Sequence, residues 1–114
     1  MGIRVAVASS DNIVVNQHFG HTQQFYIYDI NGESDFQYIE ERRVNPPCSI
    51  GEHNQSILEE AVQRVLDCQY VLCYRIGGGA SNLLFSNGVH SYEIGDYIET
   101  SLNRLWDIVS RRDS

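Results

Sequence analysis

The chain contains no lysine: all eight of its basic residues are arginine. A Walker-type phosphate loop and a Schiff-base mechanism both need lysine, so both are excluded. Fifteen acidic residues leave a net charge of −7. Broad nucleic-acid binding needs a basic face and is not expected. The three cysteines are an odd number and contain no C-x-x-C pair. Neither a disulfide framework nor a closed zinc cage is expected. The apolar run from Ile3 to Ala8 is short and interrupted by Arg4, which is unlike a signal peptide, and no stretch is long enough to span a membrane. A reducing cytoplasm is the expected setting. The two prolines are adjacent, Pro46-Pro47, and stop whatever strand precedes them.

What is present reads as one domain over residues 1–114, 42% hydrophobic and 20% charged. Ile3 to Ser9 is β-branched and apolar, the pattern of a buried strand. A polar connection with a small apolar patch at Ile13-Val14-Val15 follows. Phe25 to Ile30 and Phe36 to Val44 read as strands joined at Asn31-Gly32, a two-residue hairpin signal. A helix is expected over Gln55 to Asp67, with Ser56 and Glu59 at capping-box spacing. Its apolar face is Ile57, Leu58, Ala61, Val62, Val65 and Leu66. Tyr70 to Tyr74 is the next strand. Ile76-Gly77-Gly78-Gly79 turns into a short helix, Ala80 to Ser86, closed by Asn87-Gly88. Val89 to Tyr92 is the last strand. Asp96 and Glu99 are placed to cap a final helix whose face is Ile98, Leu102, Leu105, Trp106 and Val109. The order β-β-β-α-β-α-β-α implies an α/β domain of ribonuclease H-like type, a mixed five-stranded sheet with helices on its faces.

A nuclease reading of that order fails on chemistry. Two-metal phosphodiester hydrolysis needs converging carboxylates, yet the first and fourth strands carry none, and Asp11 has no evident partner. Histidine and cysteine are the better set. His18 and His21 flank Phe19-Gly20 in one loop, and Cys48 and His53 share another. Neutral imidazole and thiolate suit borderline and soft metals. His18 and Cys48 are the leading metal ligands, because loops carry function. Cys68 and Cys73 read as core thiols and His90 as a structural or a surface residue. The amides of Gly77-Gly78-Gly79, with Arg75 just before them, are suited to an anion. Glycine is also an easy way to turn from strand to helix. Arg42, Arg43 and Arg75 are the candidate positive groups.

Three segments in order carry a family resemblance. They are Asn16-Gln17-His18-Phe19-Gly20-His21 leading to Phe25-Tyr26-Ile27-Tyr28, Asp67-Cys68-Gln69-Tyr70-Val71-Leu72, and Arg75-Ile76-Gly77-Gly78-Gly79-Ala80 leading to Asn87-Gly88-Val89-His90. From about Ile3 to Leu105 the chain resembles the nitrogenase iron–molybdenum cofactor biosynthesis and accessory-factor proteins. Gly79 departs from the proline of the family's Ile-Gly-Gly-Pro. The resemblance implies a ribonuclease H-like fold without nuclease chemistry, and a non-catalytic carrier of an iron–sulfur or iron–molybdenum cofactor or precursor. It implies that His18 holds the cofactor and that the partner is a cofactor-assembly or acceptor metalloprotein. The alternative is a metal-binding or regulatory interaction module of the same fold, unrelated to nitrogenase. The expected site gathers His18, Gly20 and His21, the Cys48–His53 loop, and Arg75 with Gly77, Gly78 and Gly79.

Overall fold

A computed structural model describes residues 2–44 and 54–112. Cys48 and His53 lie outside the described residues, as do Pro46 and Pro47. The elements run β1 (Ile3–Ala8), β2 (Gln24–Gly32), β3 (Asp35–Arg43), α1 (Asn54–Gln63), β4 (Tyr70–Cys73), α2 (Gly78–Ser86), β5 (His90–Glu93) and α3 (Ile98–Arg112). The sheet order is β3-β2-β1-β4-β5. β2 is antiparallel to both β1 and β3, while β4 is parallel to β1 and to β5. This is the expected α/β arrangement with a mixed five-stranded sheet.

Strand periodicity divides the core in two. Ala6 and Ala8 of β1, Phe25 and Ile27 of β2, and Val71 and Cys73 of β4 face α1 and α2, which contribute Ala61, Val62, Ala80 and Leu84. Val5, Val7, Tyr28, Ile30 and Leu72 face the opposite way and meet Ile98, Leu102, Leu105 and Val109 of α3. Each central strand is buried on both faces, hence its nearly continuous apolar sequence.

Because β1 and β4 are parallel neighbours, with Val5 opposite Tyr70 and Val7 opposite Leu72, the loops that follow them leave the same end of the sheet. That end is where a mixed α/β sheet forms crevices.

Local expectations differ from the structure at four places. The hairpin does not turn at Asn31-Gly32: Gly32 still pairs with Asp35, and the register shifts between Ile30 and Gly32. Ser34 takes the left-handed conformation (φ 57°) instead, and its N–H donates to Asn103 Oδ1 at 2.7 Å. A tertiary hydrogen bond to α3 thus outweighs the local turn signal. Helix α1 ends at Gln63, four residues early, and Leu66 lies 40% exposed in the turn that follows. Asp96 does not cap α3 as a capping box would. Its carboxylate accepts from the adjacent Tyr97 N–H, while the Ile98 N–H donates to the Ile13 carbonyl at 2.8 Å. Asp11 gains hydrogen-bond donors within its own loop, though no second carboxylate among the described residues.

Candidate functional site

The loop after β1 is built on Asp11. Its Oδ1 accepts the Ile13 N–H at 2.9 Å and the Val14 N–H at 3.1 Å, and the Ser9 hydroxyl donates to it. These backbone donors hold the Asp11 carboxyl below its ordinary value. The chain then runs alongside the extension of β4. The Tyr74 N–H donates to the Gln17 carbonyl and the Phe19 N–H to the Arg75 carbonyl, both at 2.9 Å, so His18 is bridged in parallel to Arg75. Phe19 is buried and packs on Phe25, with ring centroids 5.6 Å apart. It anchors the loop from inside and leaves the residues on either side free to face out. The His18 carbonyl accepts from the His21 and Thr22 N–H groups at 3.1 and 3.0 Å, closing a tight turn. Both imidazoles are exposed, edge to face, with centroids 5.9 Å apart.

Opposite them stands the start of α2. Gly77 is its N-cap, with no side-chain capping hydrogen bond, so its first-turn amides carry the uncompensated partial positive charge of a helix N-terminus. A Cβ built on Gly77, Gly78 or Gly79 would meet nothing within 4 Å, and none of the three has positive φ. Neither packing nor backbone geometry demands glycine here, so the turn alone does not account for the run. What the missing side chains leave is bare amide surface. At Gly20 a Cβ would touch only Leu58, at an ordinary 3.5 Å.

Arg75 completes the site. Its Nη1 donates to the Tyr74 carbonyl at 2.9 Å, and its Cζ lies 4.7 Å from the centroid of the Tyr74 ring. Among arginines with described side chains it alone has no carboxylate partner. Arg42 is held by Asp67 and Glu40, and Arg43 by Glu41. Two of the three candidate positive groups are therefore committed elsewhere.

The structure brings His18, Gly20, His21, Arg75, Gly77 and Gly79 around one cleft of about 390 Å³. Gly78 is exposed at the helix start and does not line it. Four lining residues escaped the sequence reading: Leu58, Ile76, Ala80 and Glu93. Leu58 was legible only as part of a helix face. Glu93 had no local signal, and its carboxylate accepts the Ile76 N–H at 2.9 Å. Among the described residues no three His, Cys, Asp or Glu side chains are grouped to hold a metal ion. Cys68 and Cys73 are buried core thiols, with Cys68 at the end of the turn after α1 and Cys73 in β4. His90 sits in β5 against Phe85 and Tyr70. No helix among the described residues is long and apolar enough to cross a membrane.

The cleft carries one guanidinium, Arg75, and one carboxylate, Glu93, together with the bare amides at the start of α2. It offers exposed imidazoles, one guanidinium without a carboxylate partner and bare amides as hydrogen-bond donors.

The family described as "Dinitrogenase iron-molybdenum cofactor" matches residues 1–107. The FeMo cofactor biosynthesis protein NifB of Frankia alni is 35% identical over 106 residues, covering 90% of this chain and 21% of the relative. Protein NifX of Azotobacter vinelandii is 31% identical over 98 residues, covering 82% of this chain and 58% of the relative. The chain thus spans about a fifth of the NifB relative and somewhat over half of NifX. The crystal structure of PH0822 superposes with a TM-score of 0.70 at 23% identity, covering 92% of this chain and 91% of that one. It shares the fold.

Proposed function

The chain belongs to the dinitrogenase iron–molybdenum cofactor family, and from that premise we propose that it is a non-catalytic cytoplasmic carrier on a ribonuclease H-like fold. Its cargo is an iron–molybdenum cofactor, or an iron–sulfur cluster that precedes one, taken from or passed to a cofactor-assembly or acceptor metalloprotein. The cargo sits in the cleft between the His18 turn and the start of α2. His18 is the primary ligand. Cys48, outside the described residues, is the candidate second.

One observation carries the reading: His18 is bridged to Arg75, which among the arginines with described side chains alone lacks a carboxylate partner, beside glycines that neither packing nor backbone geometry requires. Iron–sulfur cofactors favour thiolate and imidazole ligands, and such clusters are commonly anionic. The net charge of −7 repels them at long range. Capture then depends on coordination and on the local donors, Arg75 and the amides of Gly77 and Gly79. A carrier also has to release its cargo, which favours few, exposed ligands over a closed cage. The acid nearest the end of β1 supports a non-catalytic role, because the Asp11 Oδ1 is committed to backbone N–H groups of its own loop.

The test is anaerobic loading with isolated iron–molybdenum cofactor, or with iron and sulfide, read by visible absorbance and iron content. His18→Ala is expected to reduce loading most and Cys48→Ser less, with thermal melts as the folding control. Undiminished loading of a folded His18→Ala, Cys48→Ser double variant overturns the site. No cleavage of RNA–DNA hybrids is expected with magnesium or manganese. Robust metal-dependent cleavage abolished by Asp11→Asn overturns the non-catalytic reading.

A further inference from the structure

A second cavity, of about 410 Å³, opens on the α3 side of the sheet, between the loop after β1, the β2–β3 hairpin and the first turn of α3. Its walls are aromatic. Tyr28 and Phe36 meet nearly at right angles, with interplanar angle 75° and centroids 6.2 Å apart. Tyr97, 61% exposed, and Ile13, 58% exposed, line the same cavity. Tyr38, 46% exposed, continues the patch from Tyr28, with centroids 5.5 Å apart. Large apolar groups exposed side by side, unlike scattered ones, mark an interaction surface.

The wall is also held in shape. The Tyr28 hydroxyl donates to Asn12 Oδ1 at 2.7 Å, and Asn12 sits in the left-handed region at φ 60°. The Val15 N–H donates to the Asp96 carbonyl, Val14 bridges Tyr97, and the Ile98 N–H reaches the Ile13 carbonyl. The loop is thereby sewn to the start of α3. The same loop carries His18 at its far end, so the groove and the cleft share one support on opposite faces of the sheet.

The groove contains one charged side chain, Glu99. Among the described residues no arginine pairs with it. The first turn of α3 contributes a partial positive charge of about half a unit, which a full carboxylate more than offsets. Aromatic faces add negative quadrupole. A cation is therefore the complementary ligand, and a planar one that stacks on rings is better than a compact, strongly hydrated ammonium. We propose that this groove docks an arginine side chain presented by a partner protein, with Tyr97 and Phe36 flanking the guanidinium and Glu99 pairing with it. The surrounding exposed apolar groups, Ile13 and Tyr38, make this a protein surface with an arginine anchor, the residue combination that dominates interface hot spots. The proposal does not depend on the identity of the cargo in the cleft.

The test is an NMR titration of the full chain with Nα-acetyl-arginine amide and with its neutral isostere, Nα-acetyl-citrulline amide. Saturable shifts are expected at the Tyr97 and Phe36 rings and the Thr100 amide, with the citrulline compound weaker by about fivefold or more. Glu99→Gln and Tyr97→Ala are each expected to weaken the arginine compound by about threefold or more. Both side chains are exposed, so the thermal melt reports whether either variant has lost its fold. A Glu99→Asp variant retains the charge and is expected to retain part of the binding. Equal binding of the two compounds, no shift at these residues up to about 50 mM ligand, or binding indifferent to Glu99→Gln in a folded protein each overturns the proposal.

Discussion

The ring of Tyr74 fills the space that a side chain at Gly95 would need: a Cβ built on Gly95 would lie 2.5 Å from Tyr74 Cδ1 and 2.8 Å from Cε1. That seat aims the ring at the cleft. Its face supports the Arg75 guanidinium at 4.7 Å, and its centroid lies 5.9 Å from that of His18. Tyr74 does not line the cleft itself, yet it holds two residues that do.

Gly95→Ala is therefore expected to push the Tyr74 ring from its seat, and because that ring is 41% exposed and can swing toward solvent the cost is about 1 kcal/mol or less. The unfolding temperature should fall, and the ring-current shift that Tyr74 imposes on the His18 imidazole protons should shrink. Tyr74→Phe should preserve that shift and Tyr74→Leu should abolish it. A folded Gly95→Ala protein with an unchanged His18 spectrum would show that the ring does not depend on this seat.

The Tyr74–Gly95 contact also marks the limit of what the amino-acid order discloses. Strand and helix identity was legible because Val5, Val7, Ile98, Leu102 and Leu105 repeat at the spacing their elements require. The glycine run and the His-Phe-Gly-His turn were legible because their composition is unusual. Their meeting at one cleft was conditional on β1 and β4 being parallel neighbours, which only the sheet determines. Four features had no local signal. Ser34 turns the hairpin because Asn103, far along the chain, accepts its N–H. The Ile13 carbonyl takes the place of a side-chain cap on α3. Asp67, far along the chain, takes Arg42 out of the set of available positive groups. Glu93 reaches the cleft from β5 through one hydrogen bond to the Ile76 amide.

Acid sensitivity should trace to Asp67. Two hydrogen bonds from Arg42, at 2.6 and 2.9 Å, and one from Arg4 at 3.3 Å hold its carboxyl well below the usual carboxylate range. A carboxylate whose pKa is lower in the folded chain contributes stability above its unfolded value and loses it as pH falls through the folded one. The unfolding temperature should therefore decline between about pH 5 and pH 2. Asp67→Asn should lower stability at pH 7 and flatten that decline. The Asp67 side chain is 49% exposed, so solvent screening keeps the effect modest. An Asp67→Asn protein with an unaltered acid profile would assign the sensitivity to other carboxylates.

Burial pushes the thiols of Cys68 and Cys73 up to about 12 each. At pH 8 the thiolate fraction is then about one part in ten thousand. Iodoacetamide should leave both unmodified in the native protein and label them only in denaturant, as read by peptide mass spectrometry. Native labelling of Cys73 at the rate of a free thiol would mean that β4 opens readily.

The Ser101 hydroxyl, on the buried face of α3, has no hydrogen-bond partner among the described residues. Its desolvation is uncompensated, and serine is a weaker helix former than alanine. Ser101→Ala should stabilise the chain by about 0.5–1 kcal/mol in denaturant unfolding. A loss of stability of that size would place an ordered water on the hydroxyl.

The last prediction follows from Asp11, whose carboxylate organises the loop shared by the groove and the cleft. Asp11→Ala removes the acceptor of the Ile13 and Val14 N–H groups, while the β1 ladder that precedes it stays paired. Amide exchange at Ile13 and Val14 should accelerate by about tenfold or more, with Val5 and Val7 unchanged. Asp11→Asn keeps an oxygen acceptor and should fall between the two. The Asp11 carboxyl sits below its ordinary value because those backbone donors favour the charged form. The loop should accordingly stay closed as pH drops through the ordinary carboxylate range and loosen only in stronger acid. Asn12 and Ile13 wall the groove, so the same Asp11→Ala change should weaken binding of the arginine compound there without altering Glu99 or Tyr97. If the Ile13 and Val14 amides exchange no faster in Asp11→Ala, the bridge between Val14 and Tyr97 and the Val15–Asp96 hydrogen bond hold the loop unaided.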